Sequence, residues 1–137
     1  MERLWNEQCD LKSYSPLTLA FIGDGVYELF VREYLVCRGN CPAKKLHARA
    51  VETVRCEYQA AAAEKIAPLL SEEEREVMKR GRNAHTSHTP RNASSADYHV
   101  ATGFECLFGY LYLRGDILRL RELCSRIFES KSPTTKE

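Results

Sequence analysis

Apolar residues recur at helical spacing along most of this chain, and the polar residues between them mark where each helix starts and stops. Ser15-Pro16 joins a side-chain acceptor for free backbone N–H groups to a residue whose fixed φ suits the first helical position. From there Leu19, Ile22, Val26, Leu29 or Phe30, and Tyr34 share one face, which predicts a helix to about Cys37 that Gly39 ends. Pro42 opens a second predicted helix with Leu46, Ala50, Val54, Tyr58, Ala61 and Ile66 along one side, and Pro68 closes it. Ser71-Glu72-Glu73-Glu74 has the form of a capping box, so a short third helix is expected to run to Arg80 and stop at Gly81. Ser94 and Asp97 repeat that device and start a helix through Leu113. Gly115 ends it, and Asp116 caps a last helix with Ile117, Leu120, Cys124, Ile127 and Phe128 on its apolar side.

No stretch alternates apolar and polar residues with the period of a strand, so the fold class is all-α, with five or more helices. At 137 residues the chain has the size of one domain. Its expected organisation is an N-terminal segment over residues 1–14, a helical domain over 15–129 and a disordered tail over 130–137. The polar stretch from Arg82 to Ser95 lacks periodicity and is long for a connection, which marks it as a candidate functional loop.

Hydrophobic residues make up 44% and charged residues 28%, the balance of an ordinary globular domain rather than a disordered or membrane-spanning chain. The first residues carry acids and no apolar core of a signal peptide, and no apolar run is long enough to span a bilayer; a cytoplasmic protein is expected. The six cysteines form no C-x-x-C pair and read as reduced, mostly buried thiols. Cys37 and Cys41 with His85 and His88 make a poor zinc site, since their spacing and settings do not match structural zinc centres. The net charge of +1 conceals two basic stretches free of acids, from Arg38 to Val51 and from Val77 to Ala96, with seven acids against three bases between them.

Two helical segments each hold a carboxylate in apolar surroundings loosened by glycine: Asp24 between Gly23 and Gly25, and Glu105 between Gly103 and Gly109. A carboxylate facing a core is costly unless it is paired or bound to a metal, and a glycine inside a helix costs about 1 kcal/mol relative to alanine. Both costs are accounted for if two helices approach through their glycines and present Asp24 and Glu105 together to a cation. A salt bridge from either acid to a core arginine is the competing arrangement.

The run Leu19-Ala20-Phe21-Ile22-Gly23-Asp24-Gly25-Val26 resembles the signature helix of ribonuclease III enzymes, and Ala101-Thr102-Gly103-Phe104-Glu105-Cys106-Leu107-Phe108-Gly109 resembles their second acidic helix. Tyr27-Glu28-Leu29, Lys79-Arg80-Gly81-Arg82-Asn83-Ala84 and Pro90-Arg91-Asn92 point within that family to the Mini-ribonuclease III branch, which lacks a separate double-stranded-RNA-binding domain. Where the wider family carries two further acids, this chain has Ala20 and Thr102.

The resemblance implies a compact helical endoribonuclease that cleaves double-stranded RNA with Mg²⁺ and leaves 5′-phosphate and 3′-hydroxyl ends. Asp24 and Glu105 would be both the catalytic residues and the metal ligands. Two carboxylates suffice for magnesium, which keeps several of its waters. Glu28, one turn beyond Asp24, and Thr102 would stand near the site without joining it. Lys79, Arg80, Arg82, Asn83, His85 and Arg91 are the favoured RNA-binding groups, with Lys44, Lys45 and Arg49 as a weaker patch. The resemblance further implies a homodimer, for which Phe30 and Tyr112 are candidate contacts. It also implies a precursor large-subunit (23S) ribosomal RNA stem as substrate, presented by a large-subunit ribosomal protein. A non-catalytic RNA-binding or ribosome-associated module that keeps the fold is the alternative raised by Ala20 and Thr102.

Overall fold

Six α-helices account for most of residues 3–84 and 94–129, the part of the chain that the computed structural model describes: α1 (Pro16–Arg38), α2 (Ala43–Thr53), α3 (Cys56–Ile66), α4 (Glu72–Arg82), α5 (Ser95–Leu113) and α6 (Ile117–Glu129). Short 3₁₀ turns lie at Leu11–Ser13 and Ala67–Leu69, and there is no strand among the described residues, so the all-α expectation holds. The predicted caps form. Ser15 Oγ accepts the Thr18 N–H at 3.2 Å, and Ser94 Oγ accepts the Asp97 N–H at 3.0 Å. Ser71 and Glu74 make the reciprocal box at 3.2 and 2.9 Å. Gly115, at φ +82°, turns the chain from α5 into α6 in a conformation that favours glycine. The expected tail from Ser130 lies outside the described residues.

Two expectations are corrected. The single helix expected between Pro42 and Pro68 is two helices, because Val54 (ψ 4°) and the extended Arg55 (ψ 154°) interrupt it. No glycine or proline causes the break. One tertiary and one local bond hold it: the Tyr27 hydroxyl donates to the Thr53 carbonyl at 3.2 Å, and the Gln59 amide donates to the Val54 carbonyl at 3.2 Å. Gly81 does not stop α4 but lies buried within it, where a Cβ would come 2.6 Å from Cys106 Cβ and 2.9 Å from Gly103 Cα. Its role is close packing.

α5 is the central helix, with α1, α3, α4 and α6 packed around it. Phe104, Leu107, Phe108 and Leu111 are fully buried. Tyr27 of α1 meets Phe104 and Phe108 edge-on at ring distances of 5.1 and 5.7 Å, and Phe128 of α6 completes the cluster. Where α1 crosses α5 the spacing is set by glycine. A Cβ on Gly23 would lie 1.7 Å from the Glu105 carbonyl oxygen, and one on Gly109 would lie 1.9 Å from that of Leu19. Gly25 differs, since a Cβ there would meet nothing within 4 Å.

Glu74 is nearly inaccessible and forms a two-pronged ion pair with Arg119 of α6, at 2.8 Å on both oxygens. The guanidinium holds the Glu74 carboxyl below the usual carboxylate range, and Arg119 also donates to the Leu69 carbonyl at 2.7 Å. Breaking such a pair strands the buried partner. Arg119→Ala is expected to cost about 3 kcal/mol, the low end of the usual range because Arg119 reaches solvent. A denaturant titration checks it. The depressed folded-state pKa means that this stability is present above the ordinary carboxylate range and is lost as pH falls below that range through the depressed value.

Candidate metal centre

Asp24 and Glu105, remote in sequence, are adjacent in space. α1 and α5 touch backbone to backbone at Gly23 and Gly109, so the residues beside these glycines are carried to the same crossing. The Glu105 carboxyl has the Asp24 carboxyl and the Gln59 amide as polar neighbours that shift its titration. Asp24 is exposed and Glu105 half-buried, so only one of the two faces inward, which corrects the expectation of two core-facing acids. Asp24 follows the buried Gly23 by a single residue, which turns its side chain away from the stripe formed by Gly23, Val26 and Tyr27.

Burial is the main cause, and the neighbouring Asp24 charge the next, of a Glu105 pKa pushed up to about 8; the Gln59 hydrogen bond acts the other way. Two carboxyls in contact repel when both are ionised. A divalent cation between them removes that repulsion, and it is the kind of group such a pair accommodates. The arginine that a salt-bridge arrangement requires is absent among the described residues, where every ion pair involves other acids.

The raised pKa has a consequence for metal-free protein. The native state keeps a proton on Glu105 up to about pH 8, whereas the unfolded chain releases it near pH 4.3. Stability from this group is therefore full below the unfolded value and is lost as pH rises towards 8. In EDTA, Glu105→Gln is expected to melt above the parent at pH 8, with the difference closing towards pH 4. Parallel melting curves across that range would contradict the arrangement.

The remaining candidates fall in definite places. Glu28 pairs with Arg32 at 2.6 Å on the exposed side of α1 and is spoken for. Thr102 is buried, and its hydroxyl donates to the Tyr98 carbonyl at 2.9 Å; Ala20 is buried too. Lys79, Arg80, Arg82 and Asn83 are exposed at the C-terminal end of α4. That end is seated on Gly103 and Cys106 of α5, which flank Glu105 in sequence. Lys44, Lys45 and Arg49 are exposed on α2, a separate patch on a helix packed against α1. His85 and Arg91 lie outside the described residues.

The cysteines are all free, but only Cys106 and Cys124 are buried, fewer than expected. No group of three or more potential metal-ligating side chains occurs among the described residues, which do not include His85 and His88. Two residues near the pair escaped sequence reasoning. Cys56, at the start of α3, has its thiol pushed upward by burial and then by the charges of Glu105, Glu57 and Asp97. Gln59 is 2% exposed and shifts the titration of Glu105. The spacing of Gln59, Ala62, Ala63 and Ile66 marks a buried stripe and would have flagged it.

Comparison with known proteins agrees with this geometry. Residues 17–116 match the family model of the ribonuclease III domain. The chain is 46% identical over 111 residues to a Mini-ribonuclease 3 of Thermoanaerobacter, covering 81% of this chain and 78% of that protein. It is 38% identical over 130 residues to the Mini-ribonuclease 3 of Enterococcus faecalis, covering 93% and 98%. A crystal structure of a Fusobacterium nucleatum protein superposes with a TM-score of 0.80 at 29% identity, over 89% of this chain and 99% of that one.

Proposed function

Because the chain belongs to the ribonuclease III family, as an endoribonuclease of the Mini-ribonuclease 3 kind, we propose that it cleaves double-stranded RNA with magnesium held by Asp24 and Glu105. The observation that carries this reading is the meeting of those two carboxyls at the glycine crossing of α1 and α5. Magnesium bound there supplies the positive charge that favours ionisation of the attacking water and offsets charge on the phosphate and the leaving 3′ oxygen. Asp24, exposed, faces the side from which a phosphodiester approaches. Glu105, half-buried, gives the site a fixed wall. The products are RNA ends with a 5′-phosphate and a 3′-hydroxyl.

Lys79, Arg80, Arg82 and Asn83, exposed at the end of α4, hold the RNA backbone in this reading, since duplex RNA is gripped chiefly through phosphates and 2′-hydroxyls. His85 and Arg91 extend that group in sequence, and Lys44, Lys45 and Arg49 form an outlying contact. A homodimer supplies one site for each strand. The apolar groove between α1 and α6, about 650 Å³ and lined by Leu29, Phe30, Tyr112 and Phe128, supports that assembly. The family resemblance favours a precursor large-subunit ribosomal RNA stem as substrate in the cytoplasm, with a ribosomal protein presenting it.

The test is incubation of one sequence as duplex RNA, single-stranded RNA and duplex DNA, with magnesium or with EDTA. The reading predicts cleavage of duplex RNA alone, only with metal, with products that a 5′-phosphate-dependent exonuclease degrades. Binding of duplex RNA without cleavage would instead select the non-catalytic module.

A further inference from the structure

Asp24, Glu28 and Arg32 follow one another a turn apart along the outer side of α1, and the last two are bonded. Glu28 Oε2 accepts from both Nε and Nη2 of Arg32, at 3.0 and 2.6 Å. That contact draws the guanidinium back along the helix, toward the turn that carries Asp24. A guanidinium has five N–H groups, and two of them serve Glu28, so three are left to donate elsewhere. An exposed ion pair of this spacing contributes little to stability. What it does is hold a cation: an arginine that would otherwise sample many rotamers keeps its free edge in one direction.

Arg32 also lines a groove of about 570 Å³ between α1 and α2. Leu35, Val36 and Leu46 supply apolar wall, Lys44 and His47 supply further basic side chains, and none of its lining residues is an acid. Such a lining recruits an anion. The position on α1 favours an RNA strand over an acidic protein, because Arg32 stands two turns from Asp24, roughly 12 Å along the helix axis. A duplex is far longer than that spacing, so a strand cut at Asp24 and running along α1 meets Arg32 and then Lys44.

We infer that Arg32, held by Glu28, is a phosphate-binding residue for the RNA strand and joins the α2 patch to the metal centre as one track along α1. This rests on the proposed cleavage of duplex RNA and adds two residues to it, Arg32 touching the substrate and Glu28 positioning Arg32. A solvated surface pair makes the opposite prediction for one variant. Glu28→Gln removes a negative charge from the surface of α1, which by general electrostatics alone tightens RNA binding. The positioning role predicts weaker binding, because the guanidinium is released.

The experiment is single-turnover cleavage of duplex RNA in magnesium, over a range of protein and salt concentrations, by the parent, Arg32→Gln and Glu28→Gln. Circular dichroism melting of the same samples confirms their folding. Arg32→Gln is expected to raise the half-saturating protein concentration about 10-fold and to make its log–log salt dependence shallower by about one, with the maximal rate within about twofold of the parent. Glu28→Gln is expected to raise the half-saturating concentration by at least about threefold. Calorimetric titration with Mn²⁺ is expected to give both variants the affinity of the parent. Parent-like half-saturation by Arg32→Gln would overturn the inference, leave the proposed nuclease standing and give the groove to another anionic partner such as an acidic protein segment. Tighter RNA binding by Glu28→Gln would overturn it in favour of a solvated pair, and weakened Mn²⁺ binding by either variant would overturn it in favour of a role at the metal. A parent that leaves duplex RNA uncut would overturn both this inference and the reading beneath it.

Discussion

Asp24→Asn and Glu105→Gln are each expected to slow cleavage of duplex RNA by at least about a thousandfold while the chain stays folded, because loss of metal charge at the reacting phosphate removes several kcal/mol of transition-state stabilisation. The two side chains lie in contact at the crossing of α1 and α5, yet neither is a packing element of the core. Asn and Gln keep their shape and drop the charge. Single-turnover rates in magnesium, alongside circular dichroism melting of the same samples, separate lost chemistry from lost fold. Raising the magnesium concentration is expected to recover little, since one carboxylate cannot hold the ion in place. A variant that stays folded and cleaves at the parental rate would remove that residue from the site.

The second large effect concerns the crossing itself. Gly23→Ala and Gly109→Ala each place a Cβ under 2 Å from a backbone carbonyl oxygen of the facing helix. A flexible side chain could move aside, but a helix backbone cannot do so without separating α1 from α5. Overpacking in cores ordinarily costs about 1–3 kcal/mol, and a clash with two backbones belongs above that range. Both variants are expected to lose more than about 3 kcal/mol and to lose metal binding even where they fold, because the carboxyls no longer meet. Gly25→Ala is the control. With nothing within 4 Å of its Cβ, the change is expected to stabilise α1 by up to about 1 kcal/mol. Chemical denaturation of the three proteins checks both directions.

Much of this architecture was legible in the chain because its local signals agree with its tertiary ones. Ser15, Ser71 and Ser94 cap where they were expected to, and Gly115 turns where it was expected to. The carboxyl pair could be read because two expensive features, acids in apolar surroundings and glycines inside helices, coincide at two places. What was not legible depends on partners distant in sequence. The break at Val54 carries no breaker residue, and it forms where Tyr27, distant in sequence, captures the Thr53 carbonyl, with Gln59 on the next helix taking that of Val54. Gly81 looks like a stop because a terminal glycine and a close-packed one are the same residue in one dimension; only the approach of Gly103 and Cys106 distinguishes them. Gly25 looks like part of the crossing and is not, because it turns away from α5.

Sequence alone favours the segment from Lys79 to Arg91 over the α2 patch as RNA-binding groups. The fold seats the α4 end of that run on α5, with Gly81 against Gly103 and Cys106. The α2 patch lies on a helix packed against α1 instead.

The most direct measurement is anomalous scattering from manganese in crystals of the protein grown with Mn²⁺. The account predicts a peak within coordinating distance of carboxylate oxygens from both Asp24 and Glu105, missing in crystals of Glu105→Gln. A manganese site elsewhere, with the space between those carboxyls empty in protein that cleaves duplex RNA under the same conditions, would contradict it.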